Sequence, residues 1–181
     1  MKTIGKFLVL LVGLAGCVTS PGLIKKGETL LIGQVIFSGS GFESWGDLSM
    51  NGIVHDGIDV IIEEIATSRQ HIMRTEQYGL FNEVDLPAGQ YKIKGFALKK
   101  TSGAIEAAVT YETPFEMSFG VLEGKVNNLG SFFWIFEYDV QNDLKYNGLH
   151  DDLMYAYKND YPQSVWSKKD WVIAAINQEL K

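Results

Sequence analysis

The chain has 181 residues, 46% of them hydrophobic and 21% charged, with 22 acidic against 16 basic side chains and a net charge of −6. That length suits one domain with a real core. Its only basic pairs are Lys25-Lys26, Lys99-Lys100 and Lys168-Lys169, which argues against nucleic acid as a partner, because that needs clustered Lys and Arg. The single cysteine, Cys17, rules out an internal disulfide and a cysteine-based metal site.

The N-terminus has three parts. Lys2 and Lys6 give a positive start, Phe7 to Leu14 is apolar apart from Gly13, and Leu14-Ala15-Gly16-Cys17 follows. The apolar run is far short of the roughly 20 residues that a helix needs to span a bilayer, and the arrangement reads as a secretory signal. Leu14-Ala15-Gly16-Cys17 resembles the lipobox of bacterial lipoproteins. That resemblance implies diacylation of the Cys17 thiol and cleavage between Gly16 and Cys17. Cleavage there removes 16 residues and two of the 16 basic side chains, so the remaining 165 residues carry a net charge of −8. Each buried methylene contributes roughly 0.8 kcal/mol and stable anchoring takes two signals, a condition that two or three acyl chains meet. Val18 stands where an Asp would favour inner-membrane retention in enterobacterial lipoproteins, so the resemblance implies an outer-membrane anchor facing the periplasm.

Val18 to Lys26 is a short tether, and residues 17–27 are assigned to it. The folded part is expected to be mainly β, an antiparallel sandwich over residues 28–140 with a helical extension over 141–181. Glu28 to Phe37, apolar and β-branched, predicts the first strand. Ser38 to Gly57 is rich in Gly, Ser, Asn and Asp and is longer than most structureless loops in compact domains. It is the candidate recognition loop, with Phe42, Trp45, His55 and Asp56. In the alternative reading, Phe42 and Trp45 fold back to plug one end of the core. Ile58 to Ala66 predicts the second strand, placing Glu63 and Glu64 on opposite faces, and His71 to Arg74 predicts an edge strand.

Tyr78 to Leu86 alternates in part, with Leu80, Asn82, Val84 and Leu86 on one side, and Gln90 to Phe96 alternates cleanly. Pro87 and Gly89 favour a tight turn between them, so the two are expected to pair as an antiparallel hairpin. Further on, Ala107 to Tyr111 and Phe115 to Phe119 read as separate short strands. Lys125 to Tyr138 reads as a long strand or a pair broken at Gly130, with Phe132, Trp134, Phe136 and Tyr138 on one face. The run Gly79-Leu80-Phe81, then Leu86-Pro87-Ala88-Gly89-Gln90-Tyr91-Lys92-Ile93, resembles prealbumin-like (transthyretin-like, carboxypeptidase-regulatory-like) β-sandwiches. Phe119, Gly124, Leu129 and Gly130 extend the likeness, which covers roughly residues 29–138. It implies that Tyr91 starts a core strand and locks the corner before it.

The period then changes. Asp151 to Tyr161 predicts a helix with Leu153, Met154 and Tyr157 on one stripe and acidic residues at its positive end. Pro162 stops it. A second helix is expected from Ser167 to about Gln178, with Ser167 as N-cap and Asp170 three residues on.

No phosphate-binding glycine loop, His-Glu-x-x-His or Gly-x-Ser-x-Gly occurs. His55 and Asp56 with Asp59, and His150 with Asp151 and Asp152, bring histidine and carboxylate together without recognised ligand spacing. Both sit where turn and cap chemistry is expected. These observations point to a lipid-anchored, non-enzymatic binding or structural module of the envelope, with no catalytic residue, metal or cofactor and with an unidentified protein partner. The alternatives are a lipoprotein subunit of an envelope-spanning machine, and a metal-dependent hydrolase using His55 or His150.

Overall fold

The computed structural model describes residues 27–39, 53–54, 57–102, 105–137 and 140–180. Among these, the strands form two sheets around a mainly-β, sandwich-like core. The elements in order are β1 (Leu30–Gly39), β2 (Ile53–Val54), β3 (Ile58–Glu64), β4 (Gln70–Arg74), β5 (Leu80–Val84), β6 (Gly89–Ser102), β7 (Ile105–Val121), β8 (Val126–Glu137), β9 (Val140–Gly148), α1 (His150–Asp160), β10 (Trp171–Ile173) and β11 (Asn177–Leu180).

The first sheet is built on β1 and β8, which run parallel from Leu30 beside Val126 to Gly39 beside Phe136. On its far edge β1 pairs antiparallel with β5 and then β2. On its far edge β8 pairs parallel with β10 over Val126–Asn128 and antiparallel with β9 from Ser131 onward. The second sheet has the order β11-β7-β6-β3-β4 and is antiparallel throughout. The expectation of an all-antiparallel sandwich therefore gives way to one antiparallel and one mixed sheet. The parallel β8–β10 pair needs a long crossover, and β9 with α1 supplies it.

Side chains of β1 alternate between two buried environments. Leu31, Val35 and Phe37 point between the sheets, while Leu30 and Ile32 point to the outer face, and all five are fully buried. The inter-sheet core is aromatic. Trp134 meets Phe37 edge-on at 4.7 Å and Phe96 at 6.2 Å, Phe132 lies 5.6 Å from Phe96, and Tyr91 stacks on Phe119 at 5.8 Å. Gly33 is the inward position between Leu31 and Val35, and a Cβ there would fall inside the Phe81 ring.

A smaller cluster of Leu30, Ile32, Val126, Tyr157 and Trp166 fills the outer face, with Val84, Tyr161 and Trp171 packed on it. Two asparagines on β8 brace this region. Asn127, fully buried, accepts from Leu122 N–H at 2.8 Å and donates to the carbonyls of Leu122 and Leu30, so it holds the β7–β8 turn closed. Asn128 accepts from Gly130 N–H at 2.9 Å and donates to the His150 carbonyl at 2.8 Å. Just past Asn128 the β1–β8 register shifts, and Gly130 takes φ +75° where a Cβ would collide with the Gly148 carbonyl.

Several sequence expectations are corrected. β5 and β6 do not form a hairpin, because β5 pairs with β1 in the first sheet and β6 with β3 and β7 in the second. Pro87-Ala88-Gly89 is thus a corner between sheets, held by the Tyr91 hydroxyl, which donates to the Pro87 carbonyl at 2.8 Å. Phe81 faces the inter-sheet core and Val84 the outer cluster, so β5 buries both faces rather than one. Residues 105–121 form one strand, not two; its register with β6 jumps between Met117 and Glu112, on either side of Pro114, which has no N–H for the ladder.

The largest correction is at the C-terminus. Residues 141–181 are not a helical extension, since they contribute most of β9, one helix and two strands. The expected second helix is a short 3-10 turn, Trp166–Lys168, followed by β10 and β11. Ser167 caps no helix; its hydroxyl donates to the Tyr161 carbonyl at 2.6 Å. Trp171-Val172-Ile173 is β-branched and aromatic, and the open edge of β8 offers it a ladder. The chain then passes from the edge of the first sheet to the edge of the second through buried Ala174.

Replacing Trp134 by Ala is expected to destabilise the protein by about 3–5 kcal/mol. Asn127→Ala, which strips the turn amide of its acceptor, is expected to cost about 1–3 kcal/mol. Urea unfolding of the full chain measures both, and a Trp134→Ala loss near zero would contradict the core assignment.

Candidate functional site

Where the outer face of the first sheet is not filled by the small cluster, it opens into a cleft of about 310 Å³ against α1. The floor is polar. Gln34 of β1 donates from Nε2 to the Tyr78 carbonyl at 2.8 Å and accepts at Oε1 from the Ser131 hydroxyl at 2.9 Å. A single amide thus ties β1, β8 and the turn before β5 together.

That turn, Gln77–Gly79, carries the exposed wall. Tyr78 is left-handed (φ 64°, ψ 15°), a conformation that costs a non-glycine residue about 1–3 kcal/mol and persists only when its surroundings impose it. Here Gly79 N–H donates to the Glu76 carbonyl at 2.9 Å, Glu76 N–H donates to the Leu80 carbonyl at 2.7 Å, and Gln34 holds the Tyr78 carbonyl. The Tyr78 side chain lines the cleft and is 57% exposed.

The opposite wall is helical. Leu153 and Tyr157 lie four residues apart on one face of α1, and Leu149 just before the helix and Tyr161 just after it continue the wall. Leu153 and Tyr157 are buried, and the Tyr157 and Tyr161 rings lie 5.0 Å apart. Beside that stripe runs a second, Asp152, Ala156 and Asp160, which forms the rim. Asp152 also sits at the positive end of the helix and Lys158 near its negative end, both favourable to the dipole. The Tyr157 hydroxyl is hydrogen-bonded to Ser164 at 3.0 Å.

The electrostatics of the cleft are negative. Burial raises the proton affinity of the Tyr161 phenol, and Asp160, Tyr157, Glu76 and Tyr78 raise it further. No Lys, Arg or His stands among the residues lining the cleft. Lys158, on the same helix, lies 5.8 Å from the Trp171 ring instead.

A second cavity, of about 420 Å³, lies between Glu28, Thr29, Asp85, Leu86 and Glu123. Its Asp85 accepts the backbone N–H groups of Glu28 at 2.7 Å and Thr29 at 3.3 Å, so that carboxylate secures the start of β1.

The site residues read from the sequence separate into two groups. Gly16, Cys17, Phe42, Trp45, His55 and Asp56 lie outside the described residues. The strands that flank the candidate recognition loop reach further into it than expected, since β1 runs to Gly39 and Ile53–Val54 pairs back beside it. Asp59 is half-buried on β3, 3.9 Å from the Arg74 guanidinium. His150 is held by the Tyr146 hydroxyl at 2.9 Å and by the backbone bond from Asn128, while Asp152 turns to the cleft. Among the described residues no three His, Cys, Asp or Glu side chains converge as metal ligands would. His71 stands at the other end of the sandwich, its Nδ1 4.0 Å from Glu83 across the two sheets.

Sequence reasoning missed Gln34, Tyr78, Ala156, Asp160 and Tyr161 as a group. The i, i+4 recurrence from Leu149 to Tyr161 and from Asp152 to Asp160 was available, but Tyr78 and Gln34 across the cleft are 71 to 127 positions away in sequence.

No protein-family model matches the chain, and no curated protein matches it. Among solved structures, a leucine-rich repeat protein from Bacteroides thetaiotaomicron VPI-5482 aligns with 59% of this chain at 16% identity and a TM-score of 0.31. The chain spans 14% of that protein's length. At that score the likeness carries neither fold nor function.

Burial pushes the His150 imidazole below its ordinary value of 6.5, with Asp151 opposing. The unfolded chain therefore takes up this proton first as pH falls. Stability contributed by neutral His150 is complete above 6.5, declines as pH drops below it, and levels off once the folded imidazole is protonated. Denaturant midpoints measured across that window should slope less in His150→Gln than in wild type. Equal slopes would remove His150 from the account.

Proposed function

We propose that this chain is a lipid-anchored, non-catalytic binding module of a bacterial cell envelope, held by acyl chains on Cys17 at the periplasmic face of the outer membrane and engaging a protein partner. The observation that carries the reading is the order of the N-terminal residues: a charged start, a short apolar run, Leu14-Ala15-Gly16-Cys17, and a polar tether. The mainly-β sandwich that follows gives a rigid scaffold for a binding surface. The corner at Pro87, locked by the Tyr91 hydroxyl, agrees with what the prealbumin-like resemblance implies. The parallel β1–β8 pair is an addition to that pattern.

The cleft beside α1 supplies the binding surface. It is concave, mostly apolar, has a few polar groups, and is large enough for a single side chain or a small molecule. Its polar groups are the Gln34 amide, the Ser131 and tyrosine hydroxyls and the Asp152 and Asp160 carboxylates.

The reading is tested by intact mass and fractionation of the wild-type chain and Cys17→Ser expressed in a bacterial host. Wild type should lose residues 1–16, gain the mass of acyl chains and pellet with membranes, while Cys17→Ser should gain none and leave the membrane fraction. Unmodified soluble protein in both cases would overturn the proposal.

A further inference from the structure

We propose that the cleft beside α1 takes one organic cation, the guanidinium or ammonium of an Arg or Lys side chain presented by a protein partner; the inference rests on the binding-module reading above.

Four observations support it. The first is charge. Asp152 and Asp160 stand on the rim with Glu76 close by, and no basic side chain lines the space, so a cation entering meets uncompensated carboxylates. The second is the wall chemistry. Tyr78 and Tyr161 border the space, with the buried Tyr157 ring packed against Tyr161, and aromatic faces attract cations, more so where water is displaced. The third is size and access. About 310 Å³ accommodates a long basic side chain rather than a folded segment, and the helix offers Ala156 between the two acidic positions where a larger residue would fill the entrance. The fourth is the floor. The Ser131 hydroxyl donates to the Gln34 amide oxygen and the Gln34 amide nitrogen donates to the Tyr78 carbonyl, so the floor offers few free donors to an anion.

The protein source follows from the surroundings. Tyr78 and Leu149, which line the cleft, are 57% and 49% exposed, giving an apolar border on which the backbone and neighbouring residues of a peptide can rest. A free diamine would have no use for that border. The net charge of the chain, −6 overall, adds a long-range attraction toward a basic partner.

Along the helix, Asp152 and Asp160 are separated by about 12 Å, so one cation engages one of them. Asp160 and Tyr161 line the cleft at the C-terminal end of α1 with Tyr78 on the facing wall, and that end is where the cation is placed. Asp152 then serves the positive flank of a longer basic peptide.

The test uses the protein as purified from its bacterial host, in detergent micelles, and blocked peptides as probes, read by isothermal titration and by ligand-observed saturation transfer. The probes are acetyl-Gly-Arg-Gly-amide, the same peptide with neutral citrulline in place of arginine, and putrescine. The arginine peptide should bind with a Kd on the order of 1 mM, at least tenfold tighter than the citrulline peptide and tighter than putrescine, and should weaken as salt is raised. Asp160→Asn should reduce binding about tenfold, and Ala156→Leu should abolish it by filling the cleft. Tyr78→Asn, which keeps a residue tolerant of left-handed backbone, should also weaken it. Unchanged thermal unfolding of these variants separates loss of the site from loss of the fold.

Equal binding of the arginine and citrulline peptides would overturn the cation assignment. Putrescine binding as tightly as the peptide would overturn the protein source. Wild-type affinity in Ala156→Leu, or no binding of the arginine peptide at tenfold above the expected Kd, would overturn the site. None of these outcomes bears on acylation of Cys17, so the anchor and the cleft stand or fall separately.

Discussion

The structure depends on one strand being buried on both faces. In β1, Leu31, Val35 and Phe37 face the second sheet and Leu30 and Ile32 face outward, and none is accessible to solvent. A strand buried on both sides reads as a continuous apolar run and demands a layer on each face. The second sheet supplies one layer. The other has to come from elsewhere in the chain, and the residues after β9 provide it through α1, the Trp166 turn and β10. The same demand explains the parallel pairing, because β8 and β10 lie side by side only if the connection between them crosses over the outer face.

From that constraint the cleft follows. The outer cluster ends at Ile32, and the next outward position on β1 is polar Gln34. α1 continues past that point, so the residues from Leu149 to Tyr161 overhang a floor made by Gln34 and Ser131 beside Leu80 of β5. The left-handed turn at Tyr78 closes the third side. The space is thus a consequence of a helix covering only part of a strand, with the uncovered part lined by an amide that three elements share. The buried amides of Asn127 and Asn128 set the frame by fixing where β8 starts and where α1 begins.

Most strands were readable from residue type and alternation. β1, β3, β4 and β8 stand close to where their β-branched and aromatic runs place them, and α1 ends where Pro162 forbids it to continue. The failures share a cause. The Leu86-Pro87-Ala88-Gly89 connection carries the same turn chemistry whether it joins paired strands or turns a corner between sheets. Only the partners of β5 and β6, β1 on one side and β3 and β7 on the other, decide which. Likewise Ser167 to Gln178 satisfies a helix-start pattern locally, and the open edges of β8 and β7 override it by offering ladders to β10 and β11.

The candidate site was less legible than the fold. The histidine–carboxylate pairing at His150 drew attention, yet its imidazole is bonded to Tyr146 while the next acidic residue but one turns to the cleft. Tyr78 gave no signal beyond preceding a glycine. What the sequence by itself determined is the β-rich class, the position of α1 and the acidic balance, because each depends on residues close together along the chain or on composition alone. Which strands share a sheet, the parallel pair at the centre, the fate of the last fifteen residues and the gathering of Gln34, Tyr78, Ser131 and Asp160 around one space were decided by the tertiary structure. Each of those depends on contacts between distant segments, where the burial of both faces of β1 outweighs local preference.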